Sequence, residues 1–305
     1  MGKLFDSMEG VETHVQGRNI LMIDFMNMVF RNLFVSFANN PLDKEFKDWK
    51  HMMLHSTYLL VRKFDTEQLL MLHDEGSSWR KKVYSEYKAP RAAGRDASPI
   101  DFDAFWKVMD EWIADFKEAL PNVYFLHYKS YEADDFIGVL TKELEGNNIV
   151  NVSTDKDLYQ LYKYKGYKQY NPIKRQFVKM LNPTADLQIK ILVGDTSDNI
   201  PQVKKGVGPK TAEKILKDLD GFLNESGNEE YKKQYILNKQ LIDLELIPNE
   251  IKNNIKKLYY EADTQPFNGR LVYNFFSKKM PKALSFVQEF NECFKKLKSF
   301  KELKR

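Results

Sequence analysis

The stretch YEADDF sets Glu132, Asp134 and Asp135 side by side ahead of FIGVLTKEL, a run with helical spacing of apolar residues. One acid at a helix start is ordinary, because free N–H groups and the helix dipole favour a carboxylate in the first turn. Three are not, since unit charges about 4 Å apart repel by roughly 1 to 4 kcal/mol between bulk water and a protein surface. They call for open solvent or a cation. Six further acids stand at comparable places: Asp24 closes NILMID, Asp74 closes QLLMLHD, Asp155 and Asp157 lie in STDKD, and Asp195 and Asp198 lie in GDTSDN. In an extended segment Asp155 and Asp157 point to one side, and on a helical turn Asp195 and Asp198 share a face. Nine carboxylates around one crevice cannot all ionise unaided. Hard divalent cations remove that conflict, and Mg²⁺, with Mn²⁺ as a substitute, prefers such oxygen ligands. No His/Cys spacing points to zinc, and STDKDLYQLYKY lacks the glycine and closing glutamate of an EF-hand loop. More carboxylates than one ion needs imply two, which suits phosphodiester hydrolysis: one ion activates water and both stabilise charge at phosphorus. Asp134 and Asp155 are among the catalytic residues expected, and Asn at either should abolish hydrolysis. Each acid also has a plainer reading, Asp74 as a loop-initiating residue and Asp195 and Asp198 as turn or N-cap residues.

Two basic features accompany the acids. In KKGVGPKTAEK (204–214), Gly206 and Gly208 allow backbone N–H groups to approach a phosphate, and the helix start at Lys210 and Thr211 favours an anion. Lys204, Lys205, Lys210 and Lys214 add attraction for a nucleic-acid backbone without reading its sequence. The segment has the form of a helix-hairpin-helix turn, and it lacks the adjacent Gly-Lys of a Walker A loop. The second feature, SSWRKKVYSEYKAPRAAGRDASP (77–99), mixes Arg80, Lys81, Lys82, Lys88, Arg91 and Arg95 with Trp79, Tyr84 and Tyr87. Cations interleaved with rings suit a groove for single-stranded nucleic acid; a solvated connecting segment is the alternative.

The elements that must position these residues follow from periodicity. NILMID (19–24), QLLMLHD (68–74), VYFLHY (123–128) and NNIVNVSTD (147–155) have strand length, whereas residues 46–64 and 102–120 have helical spacing. Strands alternating with helices predict an α/β fold with a mostly parallel, helix-flanked sheet, whose ligands bind beyond the carboxyl ends of the strands. That is where Asp24, Asp74 and Asp155 fall. Residues 1–18 read as a flexible extension, 19–199 as an α/β nuclease domain, and 200–305 as a helical DNA-binding region ending in a basic tail, FKKLKSFKELKR. The chain has 305 residues, 47 Lys plus Arg against 43 Asp plus Glu, and one cysteine, Cys293, which excludes an internal disulfide. No run approaches a membrane span, and a soluble, cytoplasmic, monomeric protein is expected.

Taken in order, Asp24, Asp74, YEADD, STDKD, GDTSDN and GVGPKTA resemble the motif series of the 5′ nucleases, also called flap endonucleases. WRKKVYSEYKAPR resembles their basic arch. Over roughly residues 18–290, including LIDLELIPNEIKNNI, the chain looks most like the RNase H branch of T-even bacteriophages, so that the cytoplasm would be that of the bacterial host. The resemblance implies a PIN-like, 5′ nuclease fold and a 5′→3′ exonuclease and flap endonuclease that removes RNA primers in lagging-strand replication. It implies two Mg²⁺ ions, the first near Asp24, Asp74, Glu132 and Asp134, the second nearer Asp135, Asp155, Asp157, Asp195 and Asp198. It makes Lys88 and Arg91 the arch cations at the scissile phosphate, with Tyr87 the aromatic beside them and Arg80 and Lys81 further nucleic-acid contacts. Many 5′ nucleases use the glycine turn with K⁺ to hold duplex DNA, and here that turn is intact. Flap, nicked or forked DNA and RNA–DNA hybrids are the implied substrates, and a single-stranded DNA-binding protein is an implied partner. The N-terminal KLFDSM has the form of a peptide docking into a sliding clamp, or it is a disordered leader. Two rival readings are a catalytically silent DNA-binding protein and a PIN-type ribonuclease; loss of the acids would mark the first, and fewer acids with no glycine turn the second.

Overall fold

The computed structural model describes residues 17–91, 95 and 97–303. The expected extension, with KLFDSM, therefore lies almost wholly outside the described residues.

Six strands form one sheet in the order β3-β2-β1-β4-β5-β6. They are β1 (Asn19–Asp24), β2 (Gln68–Leu72), β3 (Tyr124–Leu126), β4 (Asn148–Val152), β5 (Tyr167–Asn171) and β6 (Gln176–Phe177). All neighbours pair in parallel except β5 and β6. Parallel central strands are covered on both faces and so read as continuous apolar runs. Along β1 the two-residue alternation sends Leu21 and Ile23 into one hydrophobic cluster and Ile20 and Met22 into another.

On the first face lie α1 (Phe25–Asn39), α2 (Lys47–Lys63) and α4 (Phe102–Ala119), with the short α3 (Arg80–Val83) preceding α4 in the chain. On the second lies α5 (Ala133–Glu143). A third cluster joins α6 (Pro183–Val193), α7 (Pro209–Ile215), α8 (Leu219–Asn224) and α9 (Glu229–Ile242).

Residues after 199 do not pack as one unit. Whereas α7 to α9 stay in the third cluster, α10 (Asn249–Tyr260) packs on α5. The helices α11 (Gly269–Lys279) and α12 (Val287–Phe294) return to α4 and α2. The described part of the basic end is docked: Phe290, Phe294 and Leu297 are buried, and Asn122 Nδ2 donates to the Phe294 and Leu297 carbonyls at 3.0 and 3.1 Å. Lys296 and Lys298 pair with Asp65 and Glu67, beside the entry to β2. Among the described residues no helix is long and apolar enough to cross a membrane.

Phe290 stacks on Phe294 with ring centroids 4.0 Å apart. Phe290→Ala is therefore expected to cost about 3–5 kcal/mol of stability, measured by urea unfolding; a cost near zero would show that the C-terminal helices are an appendage.

Candidate active site

The parallel strands β1, β2 and β4 end at one rim and supply acids there, joined by the start of α5, which follows β3. Asp24 is the last residue of β1 and the N-cap of α1. Its Oδ1 accepts from Asn27 N–H at 3.1 Å and its Oδ2 from the Ser153 hydroxyl at 2.8 Å. Asp74 follows β2 and accepts from Ala133 N–H at 2.5 Å, which ties the β2 exit to the first turn of α5. Glu132 is the N-cap of α5, and it forms a capping box with Asp135. Asp155 follows β4 and accepts from Asp157 N–H at 2.8 Å.

The nine acids divide into two electrostatic classes. Among the described residues, Asp24, Asp74, Asp134 and Asp155 have no ion-pair partner, and Asp134 has no hydrogen bond either. Burial pushes the Asp24 carboxyl up to about 7, and Asp74 and Asp155 add to the rise. Burial likewise lifts Asp74 to about 6, although Lys88 opposes it. Burial also raises Asp134, with Asp155 and Asp24 adding repulsion, and it raises Asp155 against the pull of Lys190 and Lys88.

The other five are held by cations. Glu132 accepts from Arg80 at 2.7 Å and Lys88 at 2.5 Å, and these charges bring it down to about 2 against the opposing effect of burial. Asp198 accepts from Arg91 at 2.6 Å and from the Tyr87 hydroxyl at 3.1 Å. Lys190 of α6 pairs with both Asp157 and Asp195. Asp195 also accepts from the Ser197 N–H and hydroxyl, and it falls to about 2 although burial opposes this. Asp135 has no exposed surface; its oxygens are taken by Trp79 Nε1 at 3.1 Å, Glu132 N–H at 3.0 Å and Arg80 at 2.9 Å.

Several expectations change accordingly. Asp155 interacts electrostatically with Asp24 and Asp134 of the expected first group. Asp157 instead opens a 3₁₀ turn, Asp157–Lys163, and turns to Lys190. Asp135 is sealed among donors, so it positions Arg80 and Trp79 rather than facing a ligand. Arg80 is 3% exposed and also donates to the Leu241 carbonyl at 2.9 Å, which withdraws it from phosphate contact. Tyr87 is 2% exposed and packs in the third cluster, reaching the cleft wall with Lys88 Nζ 5.0 Å from its ring centroid, so little of its ring is open to bases. Asp195 and Asp198 belong to a turn bridged by Asp195 and Ile200 rather than to a helix. Gly194 makes that turn at φ +73°, where an added Cβ would stand 2.4 Å from the Ile200 carbonyl oxygen.

Lys81, Arg91 and Arg95 stay exposed. They border a cleft of about 540 Å³ that Asp74, Glu132, Lys88, Phe30 and Trp106 also line. Lys88 holds φ +55°, an uncommon conformation for a long side chain, fixed by its N–H bond to the Asp198 carbonyl at 2.9 Å. In the glycine turn, Gly206 has φ +87°, and nothing lies within 4 Å of a Cβ added at Gly206 or Gly208. Lys204, Lys205, Lys210 and Thr211 are exposed around it.

Sequence reasoning missed Lys190, Ser153 and the cleft rings Phe30 and Trp106. A signal existed for Lys190, which stands five residues before Asp195 on a helix whose end leads into GDTSDN.

The donors fit a hard divalent cation in kind, being carboxylates without counter-charge, Asp24 buried and Asp74, Asp134 and Asp155 half-buried, at strand ends and in the first turn of α5. Among the described residues no three such acids already converge as a finished metal site; Lys88, Arg91 and Lys190 pair with Glu132, Asp198, Asp157 and Asp195.

Asp24 also governs stability in the absence of metal. Between its ordinary 3.8 and about 7, the folded chain keeps a proton that the unfolded chain has released. Its contribution is therefore full at low pH and lost as pH rises toward 7. Glu132 works the other way: it contributes above its ordinary 4.5 and loses this as pH falls toward 2. In EDTA the urea midpoint should decline between about pH 5 and about pH 7, and Asp24→Asn should flatten that decline. An unchanged slope in the variant would refute the assignment.

Comparison with known proteins gives a consistent picture. Residues 19–188 match the family described as the 5′-3′ exonuclease, N-terminal resolvase-like domain. The chain is 30% identical over 301 residues to the ribonuclease H of Enterobacteria phage T4, covering 89% of this chain and 95% of that protein. It is 31% identical over 222 residues to the DNA polymerase I of Streptococcus pneumoniae, covering 65% of this chain but 24% of that larger protein. In structure it resembles the phage T5 5′-exonuclease with zinc bound, at TM-score 0.60 and 18% identity, covering 81% of this chain and 100% of that one. A T5 flap endonuclease in complex with DNA and metal ions matches with TM-score 0.60 and 16% identity, covering 90% and 100%. The architecture is thus the expected mostly parallel sheet flanked by helices.

Proposed function

The chain belongs to the 5′-3′ exonuclease family and is a 5′ nuclease, and from that premise we propose a Mg²⁺-dependent 5′→3′ exonuclease and flap endonuclease. It would cut phosphodiesters near the 5′ ends of DNA and of RNA–DNA duplexes and remove RNA primers in lagging-strand replication. The observation that carries this reading is the set of four carboxylates without ion-pair partners, Asp24, Asp74 and Asp155 after strand ends and Asp134 in the first turn of α5, beside Lys88. These four would hold the first ion. Asp157, Asp195 and Asp198, now neutralised by Lys190 and Arg91, would hold the second. When bound, two such ions supply charge neutralisation at the phosphodiester and acidify water.

The chain's own residues do the rest. Lys88 commits one of its three protons to Glu132, which leaves donors for a non-bridging phosphate oxygen. Arg91 is half exposed and can exchange Asp198 for the same phosphate. Phe30 and Trp106 offer ring faces to unpaired bases across the cleft. The open turn at Gly206 and Gly208, with Lys204, Lys205, Lys210 and Thr211, would grip duplex backbone, with K⁺ held by the turn. A sliding clamp met through KLFDSM and a single-stranded DNA-binding protein are proposed partners on the resemblance alone.

A labelled 5′-flap DNA and a single-stranded RNA, each incubated with Mg²⁺ or EDTA, test the reading. Wild type should cut the flap only with Mg²⁺. Asp134→Asn and Asp155→Asn should each lower turnover by about 10³-fold, the scale of losing a transition-state electrostatic partner, while flap binding in EDTA persists. Near-wild-type turnover in either variant would contradict the assignment, and cutting of the RNA but not the flap would favour the PIN-type ribonuclease.

A further inference from the structure

A pocket of about 270 Å³ opens between α5, the 3₁₀ turn Asp157–Lys163 and α10. Its floor is apolar, with Gly138, Val139, Leu161 and Leu244. Its walls carry four lysines, Lys142, Lys163, Lys252 and Lys256, together with the amides of Asn249 and Asn253. None of these residues belongs to the carboxylate rim, and Lys142 lies seven residues along α5 from Asp135, about 10 Å at the helical rise.

The pocket already shows how it treats an oxyanion. The Glu245 carboxylate accepts from Lys142 at 2.8 Å, from Lys163 at 3.0 Å and from the Tyr164 hydroxyl. Burial would raise Glu245, yet these donors bring it down to about 2. Lys252 donates to the Glu245 carbonyl at 2.6 Å, and Lys256 pairs with Glu143 at 2.6 Å. Four lysines against the two carboxylates Glu245 and Glu143 leave two positive charges in excess. The donors are also underused. An ammonium carries three protons, and Lys252 spends one on a neutral carbonyl. The Asn249 and Asn253 amides have no protein hydrogen bond among the described residues. Asn249 also opens α10, whose first turn has no side-chain cap and so leaves backbone N–H groups without a helical acceptor.

We propose that this pocket is a second oxyanion site that takes a phosphate group, held by Lys142, Lys252 and Lys256 with the Asn249 and Asn253 amides. Excess positive charge, neutral amide donors and an uncapped helix start together match a tetrahedral anion with several acceptor oxygens. The phosphate belongs either to a nucleic-acid strand or to a free phosphate compound, and the test separates the two.

Inorganic phosphate is titrated calorimetrically into the full chain in EDTA, with wild type, Lys252→Gln, Lys142→Gln, Lys142→Arg and Lys257→Gln. Lys257 lies on α10 outside the pocket and serves as the control. Lys252→Gln and Lys142→Gln should weaken the site by about tenfold or more, as for loss of a charge-assisted hydrogen bond, while Lys142→Arg and Lys257→Gln retain it. Thermal unfolding of each variant shows that the fold survives. If flap-DNA affinity falls in the same two variants and its salt slope drops by about one unit, the phosphate is that of a strand; unchanged DNA binding identifies a free phosphate compound. Equal phosphate affinity in all five proteins, or no binding to wild type, would overturn the proposal.

Discussion

Repulsion among Asp24, Asp74, Asp134 and Asp155 is the constraint to which the rest of the structure answers. A parallel sheet brings its strand ends to one rim, and this sequence ends three strands in acids and opens α5 with more. Crowded together and largely withdrawn from water, they cannot all be charged without a cation. The fold tolerates this with backbone and hydroxyl donors, Asn27 and Ser153 on Asp24 and Ala133 on Asp74, but supplies no direct counter-charge. What the protein withholds here is what the proposed divalent ion would provide.

Around that core the other five acids are neutralised from within. Arg80 bridges Glu132 and Asp135 from a buried position, and Lys190 bridges Asp157 and Asp195. Lys88 and Arg91 reach Glu132 and Asp198 from the segment over the cleft. A residue with the backbone conformation of Lys88 carries strain of about 1–3 kcal/mol, held in place by its bonds to Asp198 and Glu132. Arg80 and Tyr87 fix that segment to the body of the protein, while Lys81, Arg91 and Arg95 remain open to solvent. Cations that looked alike in sequence thus divide into anchors and contacts.

Much of this was legible beforehand, and the failures have physical causes. The apolar runs at 19–24 and 68–74 could be little other than buried parallel strands, and the acids closing them marked the rim. By contrast, β5 reads YKQYN, with no apolar run to reveal a strand. Its Gln169 is nevertheless fully buried and donates to the Ser153 and Asp155 carbonyls, holding the loop that carries Asp155. The fate of each acid was hidden for another reason. Spacing placed Asp155 beside Asp157, but tertiary partners decide charge, and Lys190 takes one of the two while Asp24 and Asp134 face the other. In the same way the helices after residue 199 looked like one region, because sequence shows that a helix has an apolar face but not which neighbour covers it.

The central claim is that burial and mutual repulsion raise the proton affinity of Asp24, Asp74, Asp134 and Asp155, so that the proposed divalent ion would displace protons on binding. With Asp24 near 7 and Asp74 near 6, adding Mg²⁺ to metal-free protein at about pH 6 should release protons. Potentiometric titration in weak buffer measures this directly. The account predicts net release that shrinks in Asp24→Asn and in Asp134→Asn but not in Asp195→Asn, whose carboxyl is already ionised. Mg²⁺ binding with no proton release, or release abolished by Asp195→Asn instead, would contradict it.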